Sequence, residues 1–125
     1  MVRKINLAEQ FASFSDHWNP RIAGELNGQH VKLVKFKGDF VWHSHESEDE
    51  LFLVVKGDFI MEYRGESGDL KTLPIRQGEF AIVPRGVEHR PCAAAEVQVL
   101  LFEPASTVNT GNVQNERTRA QLETI

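Results

Sequence analysis

A single cysteine, Cys92, leaves this 125-residue chain without an intrachain disulfide, so packing alone must hold the fold. Basic residues are outnumbered 14 to 18, and a net charge of −4 argues against nucleic-acid binding through a general basic surface. No apolar run approaches the roughly twenty residues of a membrane span. The N-terminus, Met1-Val2-Arg3-Lys4, leads into an amphipathic pattern instead of the apolar core of a secretory signal. A soluble, cytoplasmic protein with neither a nucleic-acid nor a membrane partner is the expectation. Hydrophobic content is 41%, a little under the globular norm of about 45–50%. The polar stretch 105–125 accounts for part of that margin. A chain of this length is one domain and buries roughly two-thirds of its unfolded surface.

What the chain has in abundance is strand pattern interrupted by turn residues. Asn6-Leu7-Ala8-Glu9 has the form of a capping box, and Leu7, Phe11 and Phe14 follow at helical spacing, which predicts a short amphipathic helix over 7–14. Asn27-Gly28, between the runs 21–26 and 29–37, predicts a tight hairpin, because both central residues of a type I′ turn need positive φ. Gly38-Asp39 then turns the chain into an expected strand over 40–45. Leu51 to Val55 reads as a central strand buried on both faces. A return strand over 59–64, a short strand near 70–73, a turn over 74–78, strands at 79–84 and 88–90, and an alternating run over 96–103 follow. About nine to eleven short strands with turns every eight to twelve residues predict an all-β sandwich or barrel. Residues 1–104 are expected to form the domain. Residues 105–125 read as a polar, solvated C-terminal tail, with docking on the barrel or on a partner subunit as the alternative.

The chemistry concentrates in Trp42-His43-Ser44-His45-Glu46-Ser47-Glu48-Asp49-Glu50. On a strand, positions i and i+2 share a face, so His43 and His45 would project side by side, about 6.7 Å apart at their α-carbons. Two such imidazoles can grip one metal ion. The acidic loop reverses the chain, and Glu50 opens the next strand, where its carboxylate can return to the same ion.

A second segment completes a pattern. Gly38, His43-Ser44-His45, Glu50 and Gly57 are followed by Gly78, Pro84-Arg85-Gly86 and His89. In these two motifs the chain resembles the cupin superfamily, with two departures: Gly38 stands one residue closer to His43 than usual, and Ala93 stands where Asn is usual. The motifs span 38–93. The resemblance implies a cupin-type jelly-roll β-barrel, with paired sheets protecting the strand edges. It also implies a homodimer, and a site in which His43, His45, Glu50 and His89 hold one divalent transition metal. Glu50 is chosen over Glu46, Glu48 and Asp49 because it falls at the motif position. Three nitrogens and one oxygen suit iron, manganese, nickel, zinc or copper. Gln98, which interrupts an apolar alternation, is a candidate to touch a small-molecule ligand. His17 and His30 fit no ligand spacing, and Cys92 reads as an inert small hydrophobe. Lys32, Arg64 and Arg90 share no spacing that would mark a phosphate site. The expected function is that of a metal-dependent enzyme of dioxygenase, isomerase or decarboxylase type acting on a small polar molecule. The alternative is a non-catalytic binding or sensing protein.

Overall fold

The structure is a computed structural model and describes residues 2–125. One helix, α1 (Leu7–Ala12), precedes seven strands: β1 (Arg21–Leu26), β2 (Gln29–Asp39), β3 (Glu50–Lys56), β4 (Asp58–Arg64), β5 (Leu70–Arg76), β6 (Phe80–Val83) and β7 (His89–Pro104). All strand pairings are antiparallel. β1, β2, β7, β3 and β6 lie in that order, while β4 pairs with β5 and with the first part of β7. The long β7 therefore joins both halves of the barrel. Its residues His89 to Cys92 run beside β4, and the later ones beside β2 and β3.

The alternation along these strands sorts the side chains. Phe36, Phe52, Phe59, Val97 and Val99 fill the barrel interior. Leu33, on the opposite face of β2, packs with Phe11, Phe14 and Ala23 under α1. The helix starts where Asn6 Oδ1 accepts the Glu9 amide at 2.9 Å, satisfying one of the free N–H groups of the first turn. It ends at Ala12, two residues sooner than the periodicity predicts, with Ser13 as its cap. Asn27 and Gly28 have φ of 52° and 77°, as the two-residue hairpin requires.

Several boundaries differ from the sequence reading. The runs 88–90 and 96–103 are parts of one strand, which lowers the strand count. β5 continues through Pro74, which is tolerated because β5 pairs only with β4 among the described residues, so no further neighbour needs its missing N–H. Segment 40–45 is no strand. It meets β7 through an isolated bridge between His43 and His89 and a hydrogen bond from Phe40 N to Pro91 O at 3.0 Å. β3 buries Glu50, Phe52 and Val54, while Leu51, Leu53 and Val55 on the other face are half-buried.

The C-terminal stretch 105–125 is laid against the barrel, not solvated away from it. Ser106 Oγ donates to Glu48 at 2.8 Å, Thr110 is fully buried, and the Ile125 amide donates to the Ile22 carbonyl at 2.9 Å. Low apolar content did not signal this, because the stretch docks chiefly through hydrogen bonds.

Candidate metal centre

Three separate pieces of chain deliver the four predicted ligands. His43 and His45 come from the loop after β2, Glu50 opens β3, and His89 opens β7. Two backbone hydrogen bonds lock the loop to β7: His43 N to His89 O at 3.1 Å and His89 N to His43 O at 2.8 Å. Gly86, at φ 83°, sends its amide to the His45 carbonyl at 2.8 Å and so fixes the other end. All four side chains are buried, none more than 4% exposed. One potential ligand atom from each lies within 4.8 Å of all the others. Ligands bound at about 2.1 Å to one ion stand no more than about 4.2 Å apart, so small adjustments close the set on a single ion.

The hydrogen bonds around the rings show which atoms face inward. His43 Nδ1 donates to Val41 O, and His89 Nδ1 donates to Val87 O, each at 2.9 Å. A carbonyl can only accept, so the neutral rings carry their proton on Nδ1 and keep the Nε2 lone pair free. Those lone pairs converge on a carboxylate. His89 Nε2 lies 3.2 Å and His45 Nε2 2.7 Å from the same oxygen, Glu50 Oε1. The His45 contact is close but too poorly aligned for a hydrogen bond, leaving that buried nitrogen without a partner. Lone pairs crowded on lone pairs, with one orphaned nitrogen, suit a cation at their common focus. Burial, and next the neighbouring His89, push the His43 imidazole down to about 4, so it is neutral at physiological pH.

A fifth group was not anticipated. Glu103 shares the cavity beside His43 and Glu50. Its Oε1 meets Lys32 Nζ at 3.1 Å, both side chains are 2% exposed, and its Oε2 has no hydrogen-bond partner. Burial, and then the adjacent Glu50, push the Glu103 carboxyl well above its ordinary range, against the pull of Lys32. The signal was in the sequence: Glu103 closes the same alternation as Val97, Val99 and Leu101, which points it inward.

Gln98 is corrected by that alternation. It pairs with Lys35 on the face of β7 opposite Val97 and Val99 and turns away from the ligand cluster. His17 and His30 lie outside the cluster, facing Glu96 and Glu25. Cys92 points at Glu62, and burial pushes its thiol up to about 12, so no thiolate forms near neutrality. Arg64 and Arg90, unrelated in spacing, both lie over the Trp42 ring, at 4.7 and 5.3 Å, and pair with Glu88 and Glu62. Around the ligands, the cavity holding Glu50 and Glu103 measures about 30 Å³ and is walled by Trp18, Phe36, Phe40 and Phe52. A wider cleft of about 650 Å³ opens between β4 and β6, lined by Met61, Tyr63, Ala81 and Val87 but by none of the four ligands.

Among known proteins, the chain is 30% identical over 82 residues to the uncharacterized protein YdbB of Bacillus subtilis (strain 168), which covers 66% of this chain and 63% of that one. It is 29% identical over 107 residues to the 3-hydroxyanthranilate 3,4-dioxygenase of Xenopus laevis, covering 82% of this chain but only 37% of the relative. The crystal structure of a cupin-2 domain containing protein from Shewanella frigidimarina superposes with a TM-score of 0.74 at 38% identity, covering 80% of this chain and 93% of that one. The chain thus spans less than two-thirds of either curated relative. The family model of the Cupin domain (Cupin_2) matches residues 30–103, from the second strand to the last and across all four candidate ligands, and the chain belongs to that family.

Proposed function

We propose that this cupin is a metal-dependent enzyme in which His43, His45, Glu50 and His89 hold one divalent transition metal. The reading rests on one observation: three imidazoles and one carboxylate, all buried, bring their free ligand atoms within 4.8 Å of one another. Iron, manganese, nickel, zinc and copper all suit this donor set. A bound ion would supply Lewis acidity and, if redox-active, chemistry with dioxygen. The chain's own residues do the rest. The carbonyls of Val41 and Val87 keep two Nε2 atoms aimed inward. Trp18, Phe36, Phe40 and Phe52 wall the site off from bulk water. Glu103, its carboxyl pushed well above the ordinary range by burial and the adjacent Glu50, presents an unpartnered Oε2 beside the ligands. Among dioxygenase, isomerase and decarboxylase chemistry, the likeness to 3-hydroxyanthranilate 3,4-dioxygenase favours the first, with a small polar aromatic as substrate.

The experiment is metal content of the purified protein and of His45→Ala, followed by oxygen uptake of the iron form with small phenols and diols. A near-stoichiometric ion that His45→Ala loses is the expected result. Equal metal in the two proteins refutes the site. A second reading, a non-catalytic binding protein, draws support from the small cavity, which holds about one water. Turnover of any of these compounds would exclude it.

We further propose a cytoplasmic homodimer. No helix among the described residues is long and apolar enough to cross a membrane. On the edge strand β6, Phe80 and Ile82 are 61% and 57% exposed on a face they share with Leu53 and Leu51. A second copy covering this face would bury both residues and protect the open edge.

A further inference from the structure

The C-terminal stretch lays a charged side chain over the aromatic wall of the metal cavity without giving it a partner. Asn109 lines that cavity, and its side chain ties down the stretch behind it: Nδ2 donates to Arg117 O at 2.7 Å and Oδ1 accepts from Arg119 N at 2.8 Å. Arg117 is thereby pinned over the aromatic wall. Its guanidinium carbon lies 5.4 Å from the Trp18 ring centre and 5.7 Å from that of Phe40. Both rings line the cavity, and Phe40 in turn sets its edge against His43, with centres 5.4 Å apart. One aromatic ring thus spans the gap between the guanidinium and a metal-ligating imidazole.

Arg117 is also the exception among the shielded arginines. Arg21 pairs with Asp16, Arg90 pairs with Glu62, and Arg119 donates to the carbonyls of Glu116 and Thr118. Arg117 forms no ion pair among the described residues, and its Nη1 is buried without an acceptor. An unmet buried donor is costly, and more so when charged. Stacking on the two rings recovers part of that cost and leaves the N–H fork free. Charge points the same way. A divalent ion held by the four candidate ligands would add to the charge of Lys32 and Arg117, and together they would outweigh Glu50 and Glu103.

We propose that Arg117 selects the ligand of the metal cavity, and that this ligand carries a carboxylate. The proposal rests on the metal-centre reading above and names its substrate class. A carboxylate offers two coplanar acceptors that match the guanidinium fork, and the flat walls of Trp18 and Phe40 favour a planar group over a tetrahedral one. At about 30 Å³ the cavity is too small for such a ligand, so admission moves the stretch that carries Asn109 and Arg117. Its return sets the guanidinium on the bound anion.

The test compares benzoate with benzamide, and acetate with acetamide, in cobalt(II)-loaded and in metal-free full-length protein. Binding is followed by calorimetry and, in the loaded form, by the cobalt absorption bands. The acids are expected to bind at least tenfold tighter than the amides. Arg117→Gln removes that preference, and Arg117→Lys, which keeps the charge but not the fork, retains part of it. A preference that persists in metal-free protein while cobalt fails to bind would sink the metal reading and leave this proposal standing. Equal binding of acid and amide by the unaltered protein, no binding of either acid, tighter binding of phenyl phosphate than of benzoate, or an unchanged preference in a folded Arg117→Gln protein each overturns it. If Arg117→Gln fails to fold, the acid–amide comparison and Arg117→Lys decide: loss of the preference in neither overturns the selection by Arg117, and a partial loss in Arg117→Lys upholds it.

Discussion

Replacing Gly111 with alanine tests the docked C-terminal stretch at its tightest point. Gly111 has φ 54°, and a β-carbon built there would lie 2.2 Å from the Ser44 carbonyl oxygen, 2.9 Å from its carbon and 3.2 Å from His43 Cδ2. Ser44 cannot retreat easily. Its amide donates to Asn112 Oδ1 at 2.8 Å, and its carbonyl accepts from Asn112 N at 3.0 Å. The left-handed backbone costs alanine about 1–2 kcal/mol, and overpacking a site that cannot relax costs about 1–3 kcal/mol more. A total of at least about 2 kcal/mol lowers the melting temperature by roughly 8 °C, at about 4 °C per kcal/mol for a domain of this size. Gly68→Ala is the control, since Gly68 has φ 81° but nothing within 4 Å of its added carbon. It carries the backbone cost alone. Thermal unfolding in chelator, with limited proteolysis of the same samples, reads both effects. Gly111→Ala should melt well below Gly68→Ala and be cut faster within 105–125. Equal melting of the two variants, with no added cleavage, would refute the packing of this stretch on the ligand loop.

Other outcomes follow from the same geometry. In metal-free protein the His43 ring should stay neutral until about pH 4 in an NMR titration, because burial disfavours its charged form; titration near its ordinary value would refute the closed site. The preference for neutral His43 stabilises the fold above the unfolded value of 6.5, and that contribution is lost as pH falls from 6.5 towards about 4. Glu103 has the opposite sign. Its folded value is raised, so its contribution is complete below the unfolded value of 4.5 and declines as pH rises above it. Glu103→Gln lacks that decline, so in chelator its melting temperature should gain on the unaltered protein from pH 4.5 to 7.5; a constant difference would remove the argument for a protonated Glu103. Phe80→Glu with Ile82→Glu should sediment as a folded monomer where the unaltered protein sediments as a dimer, and an unchanged dimer would place the interface elsewhere.

The cluster of candidate ligands was legible because it depends on short spacings. His43 and His45 are two residues apart, Glu50 starts the next strand, and the turn glycines hold those intervals. The barrel was legible as a class for a related reason, since alternation and turn residues are local properties. Boundaries were less so. The expected strand over 40–45 has strand-like residues, yet the chain there is committed to the bridge with His89 and to aiming two imidazoles at one point. The merger of 88–90 with 96–103 depends on the bulge opposite Phe36 and Gly38, where β7 stays paired with β2 while its register shifts. Gln98 failed for want of register: polar residues within an apolar alternation look alike from either face until the pairing with Lys35 says which way they turn.

The C-terminal stretch marks a different limit. Apolar area is the usual predictor of order because it is the usual source of docking energy. Residues 105–125 draw little on that source. Asn109, Thr110 and Asn115 close turns upon Arg117, Thr118 and Arg119, so the stretch is knitted internally before it meets the barrel. It then reaches the barrel at five places: Glu48, Ser44, the Gly28 carbonyl, the Lys32 ammonium and the backbone of Ile22. Each contact is a hydrogen bond worth about 1 kcal/mol net, and none is visible as periodicity. On the proposed reading, a cover held largely by such bonds suits a part that moves whenever the cavity below it admits a ligand. On that reading, the residues least like a domain in composition decide what reaches the candidate ligands most like a family motif.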